Sequence, residues 1–238
     1  MANLLPQWSL HALVSASAQK YGTDSVNIRL GHTVDWLILL VTDLLNEGFS
    51  FMDAIAALHQ RVSTPRLTTP APSPEQIEVL IKAAMRAADH GNMRPWRFLI
   101  VEGNGLIQLG ELFAKAASAK NPDITQPELD RCYALPQRAP MIIISIARCQ
   151  PNPKVPQIEQ IIAAGAATQN LLNAAFATNV GAVWRTGDMA YDPAVKAGLG
   201  LIEGEEIVGF IYVGTPTVPP HAPREQNSAD FFSAWPQE

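Results

Sequence analysis

Two short segments of this 238-residue chain, far apart in the sequence, set an arginine beside a hydroxyl: Arg61-Val62-Ser63, with Arg66 close behind, and Trp184-Arg185-Thr186-Gly187. A guanidinium and a hydroxyl in a loop or at the end of an element are the groups that hold a phosphate, through charge-assisted hydrogen bonds of fixed geometry. Taken alone, the first triplet is better read as a solvated helix end where Arg61 favours the helix dipole, and the second as a surface turn with an anchored tryptophan. Their occurrence together, with a third cluster running from Ala87 through His90-Gly91-Asn92-Met93-Arg94-Pro95-Trp96-Arg97-Phe98, shifts the balance toward an anion site. No Ser-His-Asp pattern and no metal-ligand spacing competes, and Gly103-Asn104-Gly105 and Gly198-Leu199-Gly200 lack the full dinucleotide fingerprint and read as turns.

The composition is that of a globular chain poor in charge, with 47% hydrophobic and 16% charged residues and a net charge of -5. That balance, with no run of lysine or arginine, argues against a nucleic-acid partner. It leaves surface available for a subunit interface. Cys132 and Cys149 belong to no CxxC pair and read as reduced thiols in or near the core. Leu13 to Ala18 ends in a small-residue pattern, but no Lys or Arg precedes it and Pro6, Gln7 and His11 interrupt any apolar core, so a signal peptide is not expected. The apolar run Trp36 to Val41 is too short to span a bilayer. The expectation is a cytoplasmic protein with no membrane partner.

These clusters need elements to position them. Residues 1–50 read as a helical extension: Trp36, Leu37, Leu40, Val41, Leu44 and Leu45 recur at helical spacing before Gly48. A helix from Phe51 to Gln60 delivers Arg61, and the prolines at 65, 70, 72 and 74 impose extended or turning chain after it. Ser73, Pro74 and Gln76 form a capping box with proline at the first position, opening a helix whose buried stripe is expected to be Ile77, Leu80, Ile81, Ala84 and Met85. Arg86 and His90 lie at or just past its end. A strand is predicted over Trp96–Glu102, then a helix to about Ser118. The unbroken run Met141–Ala147 has the pattern of a central strand covered on both faces. A long helix dense in alanine and glycine follows from about Val155 to Asn179. Val180–Arg185 reads as a short strand or loop, Asp192 and Pro193 open another helix, and Glu206–Gly214 is a last strand. The proline-rich tail beyond Thr215 is expected to lack regular structure and to wrap over a neighbour. The class is α/β or α+β, with helices covering the sheet.

The stretch from Ala87 to Phe98, together with Arg61-Val62-Ser63, Lys154-Val155-Pro156, Glu159, Gly181 to Gly187, Val208-Gly209-Phe210 and Gly214-Thr215-Pro216, resembles the nitroreductase family, most closely its short YdjA-like branch. The likeness runs from about Met52 to about Pro216. It implies an α+β fold with a central mixed β-sheet flanked by helices, in a homodimer with two FMN sites at the interface. It divides the chain into residues 1–50, an extension, and residues 51–238, an FMN-binding domain with a proline-rich tail. By the same resemblance Arg61, Val62 and Ser63 hold the phosphate and ribityl chain, Trp184, Arg185 and Thr186 close on FMN, and Arg86 and His90 reach the flavin of the partner subunit. From the residues alone, His90 reads nearly as well as a histidine bound to the last carbonyls of its helix. Two departures stand out: Val62 occupies a position where the branch commonly has a second arginine, and Arg94 one where it has glutamine. The implied activity passes electrons from NAD(P)H through FMN to nitroaromatic, quinone or similar acceptors in a two-step exchange, with no catalytic side chain and no metal. Oxygen-using or dehalogenating chemistry, and a non-catalytic flavin-binding protein covered by its own N-terminal helix, are the alternatives.

Overall fold

A computed structural model describes residues 52–236; the helix expected over 33–46 and the rest of the extension lie outside the described residues. Asp53 caps the first helix, α1 (Ala54–Gln60), by accepting from the amides of Ile55 and Ala56. The chain then runs through the two-residue strand β1 (Leu67–Thr68) to α2 (Pro74–Ala84). The capping box of α2 is present as expected: the Ser73 hydroxyl accepts from the Gln76 amide, and the Gln76 side chain accepts from the Ser73 amide. After α2 come β2 (Trp96–Glu102), α3 (Asn104–Lys120), α4 (Gln126–Ala134), β3 (Met141–Arg148), α5 (Gln157–Ala177), β4 (Gly181–Arg185), α6 (Pro193–Gly198) and β5 (Glu205–Pro216). Helix α4 was not expected from the sequence, although Thr125 and Glu128 close a capping box around Pro127 at its start.

Strand β5 is the hub of the sheet. It pairs with β3 along one edge and β4 along the other, β2 adds to the far side of β3, and β1 continues beside the last residues of β5. Every pairing among the described residues is antiparallel. The fold is α+β, with helices on both faces of the sheet. On one face α2 and α5 bury Leu80, Ala84, Ala163, Ala164, Ala167 and Leu171 against Ile143, Ile211 and Val213. On the other, Leu106, Leu109 and Phe113 of α3 and Val195 of α6 cover Ile142, Ile144, Phe210 and Tyr212. Strand β3 is buried from Met141 to Ala147, as its unbroken apolar run requires.

The α2–α5 pair sets the geometry of everything that follows. The two helices run antiparallel, tied by the Gln76 amide donating to the Thr178 carbonyl (3.1 Å) and the Asn170 amide donating to the Ala83 carbonyl (3.3 Å). Alanines on α5 allow close approach to the sheet, where the Thr168 hydroxyl donates to the Ala164 carbonyl and accepts from Ser145 of β3 at 2.7 Å. The stripe expected on α2 is corrected in part. Leu80 and Ala84 are buried, but Ile81 and Met85 are exposed, because one helix presents only one face to α5 and these two fall on the outer side. They join Ile55 and Leu58 of α1 and Ile158 and Ile162 of α5, also exposed, on helices packed against one another. Among the described residues no helix is long and apolar enough to cross a membrane.

A buried ion pair closes the sheet at its other end. Arg97 of β2 donates from Nε and a terminal nitrogen to both oxygens of Glu205 (2.7 and 2.6 Å), whose carboxylate also accepts from the Ile202 amide. The Arg97 guanidinium holds the Glu205 carboxyl below the usual carboxylate range, against the upward push of its burial. A depressed carboxylate pKa gives stability that is present above the unfolded-state value and lost as pH falls through the folded one. Glu205→Gln should therefore lose about 3 kcal/mol at neutral pH. Urea midpoints should show that deficit shrinking as the pH is lowered through and below the ordinary carboxylate range.

Candidate functional site

The structure brings the two arginine–hydroxyl segments side by side. Arg61 is the C-cap of α1, its amide donating to the Ala57 carbonyl, and the chain beyond it runs along β4, where the Thr64 amide donates to the Ala182 carbonyl at 2.8 Å. Ala182 lies two residues before Trp184. Farther along, the Thr217 amide donates to the Arg66 carbonyl, so the Arg61–Arg66 segment is held by β4 and by the end of β5.

On β4, alternate side chains face opposite sides of the sheet. Trp184 turns toward α5, where its ring meets Gly165, and its indole N–H donates to the Val208 carbonyl at 3.1 Å. This packing requires glycine at 209, since a Cβ there would lie 2.0 Å from the indole nitrogen. Arg185 turns the other way, its guanidinium 5.8 Å from the centre of the Tyr212 ring. Burial raises the Tyr212 hydroxyl above its ordinary pKa while Arg138 and Arg185 oppose the rise. Thr186 follows, half-buried, before Gly187 at φ 61°.

The charge pattern separates two kinds of arginine. Arg97 and Arg148 both reach Glu205, whereas Arg61, Arg66, Arg86 and Arg185 make no ion pair with any acid among the described residues. Arg94, Arg131, Arg138 and Arg224 likewise make none, so the absence of a partner does not by itself mark a site. What the structure joins is backbone: the Thr64–Ala182 hydrogen bond sets the segment that carries Arg61 and Ser63 beside the strand that carries Arg185.

Arg86 and His90 stand apart from this pair of segments. Helix α2 ends at Ala84, so neither belongs to it, and His90 opens a single tight turn, His90–Asn92. His90 does not bond the last carbonyls of α2. Its Nδ1 lies 2.6 Å from Oε2 of Glu159 in the first turn of α5. No hydrogen bond or ion pair among the described residues links Arg86 or His90 to either arginine–hydroxyl segment. The turn leads into a left-handed stretch, with Gly91, Asn92 and Arg94 at φ 74°, 52° and 48°. Asp89 holds it closed by accepting from the Arg94 amide at 2.5 Å. Pro95 and Trp96 then enter the core, the Trp96 indole N–H being buried without an acceptor among the described residues. Two non-glycine residues, one of them an asparagine that tolerates this region, are thus held at positive φ in one exposed loop.

A cavity of about 290 Å³ lies elsewhere, between the edge of β2, α3 and Leu199, and contains none of these residues. Among the described residues no group of three or more His, Cys, Asp or Glu is placed to hold a metal ion. Cys132 and Cys149 are unpaired and partly buried, and burial raises the Cys149 thiol above its ordinary pKa.

Comparison with known proteins points to one family. The nitroreductase family matches residues 58–215, close to the span of the resemblance read from the sequence. YdjA of Escherichia coli K12, whose name assigns it provisionally to the NAD(P)H nitroreductases, is 40% identical over 165 residues, covering 69% of this chain and 89% of YdjA. Among solved structures, a nitroreductase-like protein from Bacillus cereus superposes with a TM-score of 0.67 at 20% identity, over 79% of this chain and 98% of that one. A provisionally named nitroreductase from Desulfovibrio desulfuricans, solved in complex with FMN, gives a TM-score of 0.60 at 24% identity, over 79% and 99%.

The left-handed loop can be tested directly. Arg94→Val forces a β-branched side chain into φ 48° and should cost about 1–2 kcal/mol more in chemical denaturation than Arg94→Gly, which accepts that backbone freely.

Proposed function

The chain belongs to the nitroreductase family, and on that premise we propose that it is an FMN-dependent oxidoreductase passing electrons from NAD(P)H to nitroaromatic, quinone or similar acceptors in two successive half-reactions. The observation that carries this reading is the adjacency, through Thr64 and Ala182, of two arginine–hydroxyl segments without acidic partners among the described residues. FMN, when bound, supplies the hydride and electron chemistry through its ring. The chain's residues bind and orient it. Arg61, Ser63, Arg185 and Thr186 give charge and hydroxyl donors to the phosphate and ribityl chain, with the backbone of Val62 between them. Trp184 is the fixed wall of this segment, locked by the Val208 carbonyl. No side chain is needed as nucleophile or general base.

In this reading the site is completed by a second copy of the chain. Arg86 and His90, which the protomer leaves separate from its own arginine segments, serve the flavin of the partner. Two features support the homodimer: the exposed apolar pairs on α1, α2 and α5, and a tail that carries Phe231, Phe232 and the 92%-exposed Trp235 on its surface. Residues 51–238 then form the FMN-binding domain, and residues 1–50 are an extension to it.

The purified protein should show a flavin spectrum that bleaches when NADPH is added without oxygen; failure to bind added FMN would overturn the reading. Arg61→Ala and Arg185→Ala should each weaken FMN binding about 10- to 100-fold, the worth of a hydrogen bond to a charged group. Ile162→Glu, at a position 62% exposed in the protomer, should yield monomers in light scattering and lose FMN, while leaving the protomer's far-UV circular dichroism intact.

A further inference from the structure

His90 has one hydrogen-bond partner among the described residues, and it fixes more than a distance. The partner atom, Oε2 of Glu159, is a carboxylate oxygen, an acceptor, so the contact favours a proton on Nδ1 of His90. Nε2 makes no hydrogen bond among the described residues. The pair is too exposed to matter much for stability, with the His90 side chain 57% and that of Glu159 44% accessible. Nor is it needed to register the helices, since Gln76 and Asn170 already tie α2 to α5 through backbone carbonyls. What Glu159 does alone is choose the nitrogen that His90 has free.

We infer that Glu159 is the positioning residue for His90, holding the proton on Nδ1 and the ring in place so that Nε2 is the atom His90 offers to FMN. The inference rests on the proposed role of His90 at the flavin. With the ring neutral, Nε2 is a hydrogen-bond acceptor for a ribityl hydroxyl or a ring N–H; with the ring protonated it is a charged donor. Without Glu159, a histidine in water favours the other tautomer, with the proton on Nε2, and the ring turns freely about its bonds. A carboxylate that fixes the tautomer of a ligand-binding histidine from behind typically changes ligand affinity without touching the ligand.

The test uses the full-length protein carrying ¹⁵N-labelled histidine, with His90 assigned through His90→Gln. Two-bond ¹H–¹⁵N correlation at about pH 8, above the ordinary histidine range, reads the tautomer. Wild type should show His90 protonated at Nδ1, and Glu159→Gln, whose amide can either donate or accept, should shift it toward Nε2 protonation. FMN titrated into the apoprotein, followed by quenching of flavin fluorescence, should bind roughly 5- to 10-fold more weakly to Glu159→Gln. The melting temperature should change by no more than about 3 °C. Glu159→Gln added to His90→Gln should weaken binding no further, because the two act as one unit. An unchanged tautomer, an unchanged affinity, or fully additive losses would each overturn the inference while leaving the FMN reading standing. Failure of the wild type to bind FMN would overturn that reading, and with it the role of Glu159, even if the Nδ1 tautomer were present.

Discussion

The close packing of α5 on the sheet is the constraint on which the rest depends. A helix can approach a sheet this closely only if its inner face is small, and Ala163, Ala164 and Ala167 supply that face. Ser145 and Thr168, buried in that contact, satisfy each other and the Ala164 carbonyl. From this one helix the site elements take their positions: Gly165 receives the ring of Trp184, Asn170 holds the end of α2, and Glu159 holds His90. Gln160, fully buried, bonds the backbone of Gln150 and Val155 and so fixes the chain that enters the helix.

Much of this was legible because local chemistry and tertiary packing agree. The capping box at Ser73, the aspartate cap at Asp192, and the two-faced burial of β3 each have a physical cause within a few residues of chain. Helix α4 carried the same kind of signal at Thr125 and Glu128, but none of its residues is buried, so no apolar periodicity accompanied the cap. Ile81 and Met85 misled for the opposite reason. Their spacing is apolar and helical, yet periodicity cannot distinguish a stripe that meets the protomer's own core from one that faces outward. The long-range pairs were illegible in principle: nothing near Arg97 in sequence points to Glu205, and nothing near His90 selects Glu159 over the carbonyls of the preceding helix.

The candidate site shows the same division. That Arg61-Val62-Ser63 and Trp184-Arg185-Thr186 have one chemistry could be read from residue types, but their adjacency follows from β4 lying between β5 and the chain leaving α1. Glycine at 209 is part of that arrangement, since it is the indole of Trp184 that excludes any larger residue. Sequence reasoning singled out the glycine only through resemblance; the structure supplies the contact that makes it necessary.

Arginines in this protein thus fall into two classes by what neutralises them. Arg97 and Arg148 converge on one buried carboxylate and tie β2, β3 and β5 together, a structural use that asks for a fixed partner. Arg61, Arg66, Arg86 and Arg185 are given none among the described residues, although the chain as a whole carries more acid than base. Arg94, Arg131, Arg138 and Arg224 share that lack, so it is position, not the missing acid, that sets any of them apart. Arg61 and Arg185 differ from the rest in lying on segments joined by the Thr64–Ala182 hydrogen bond, each with a hydroxyl residue one or two positions on, and it is this pairing that the proposed phosphate site uses.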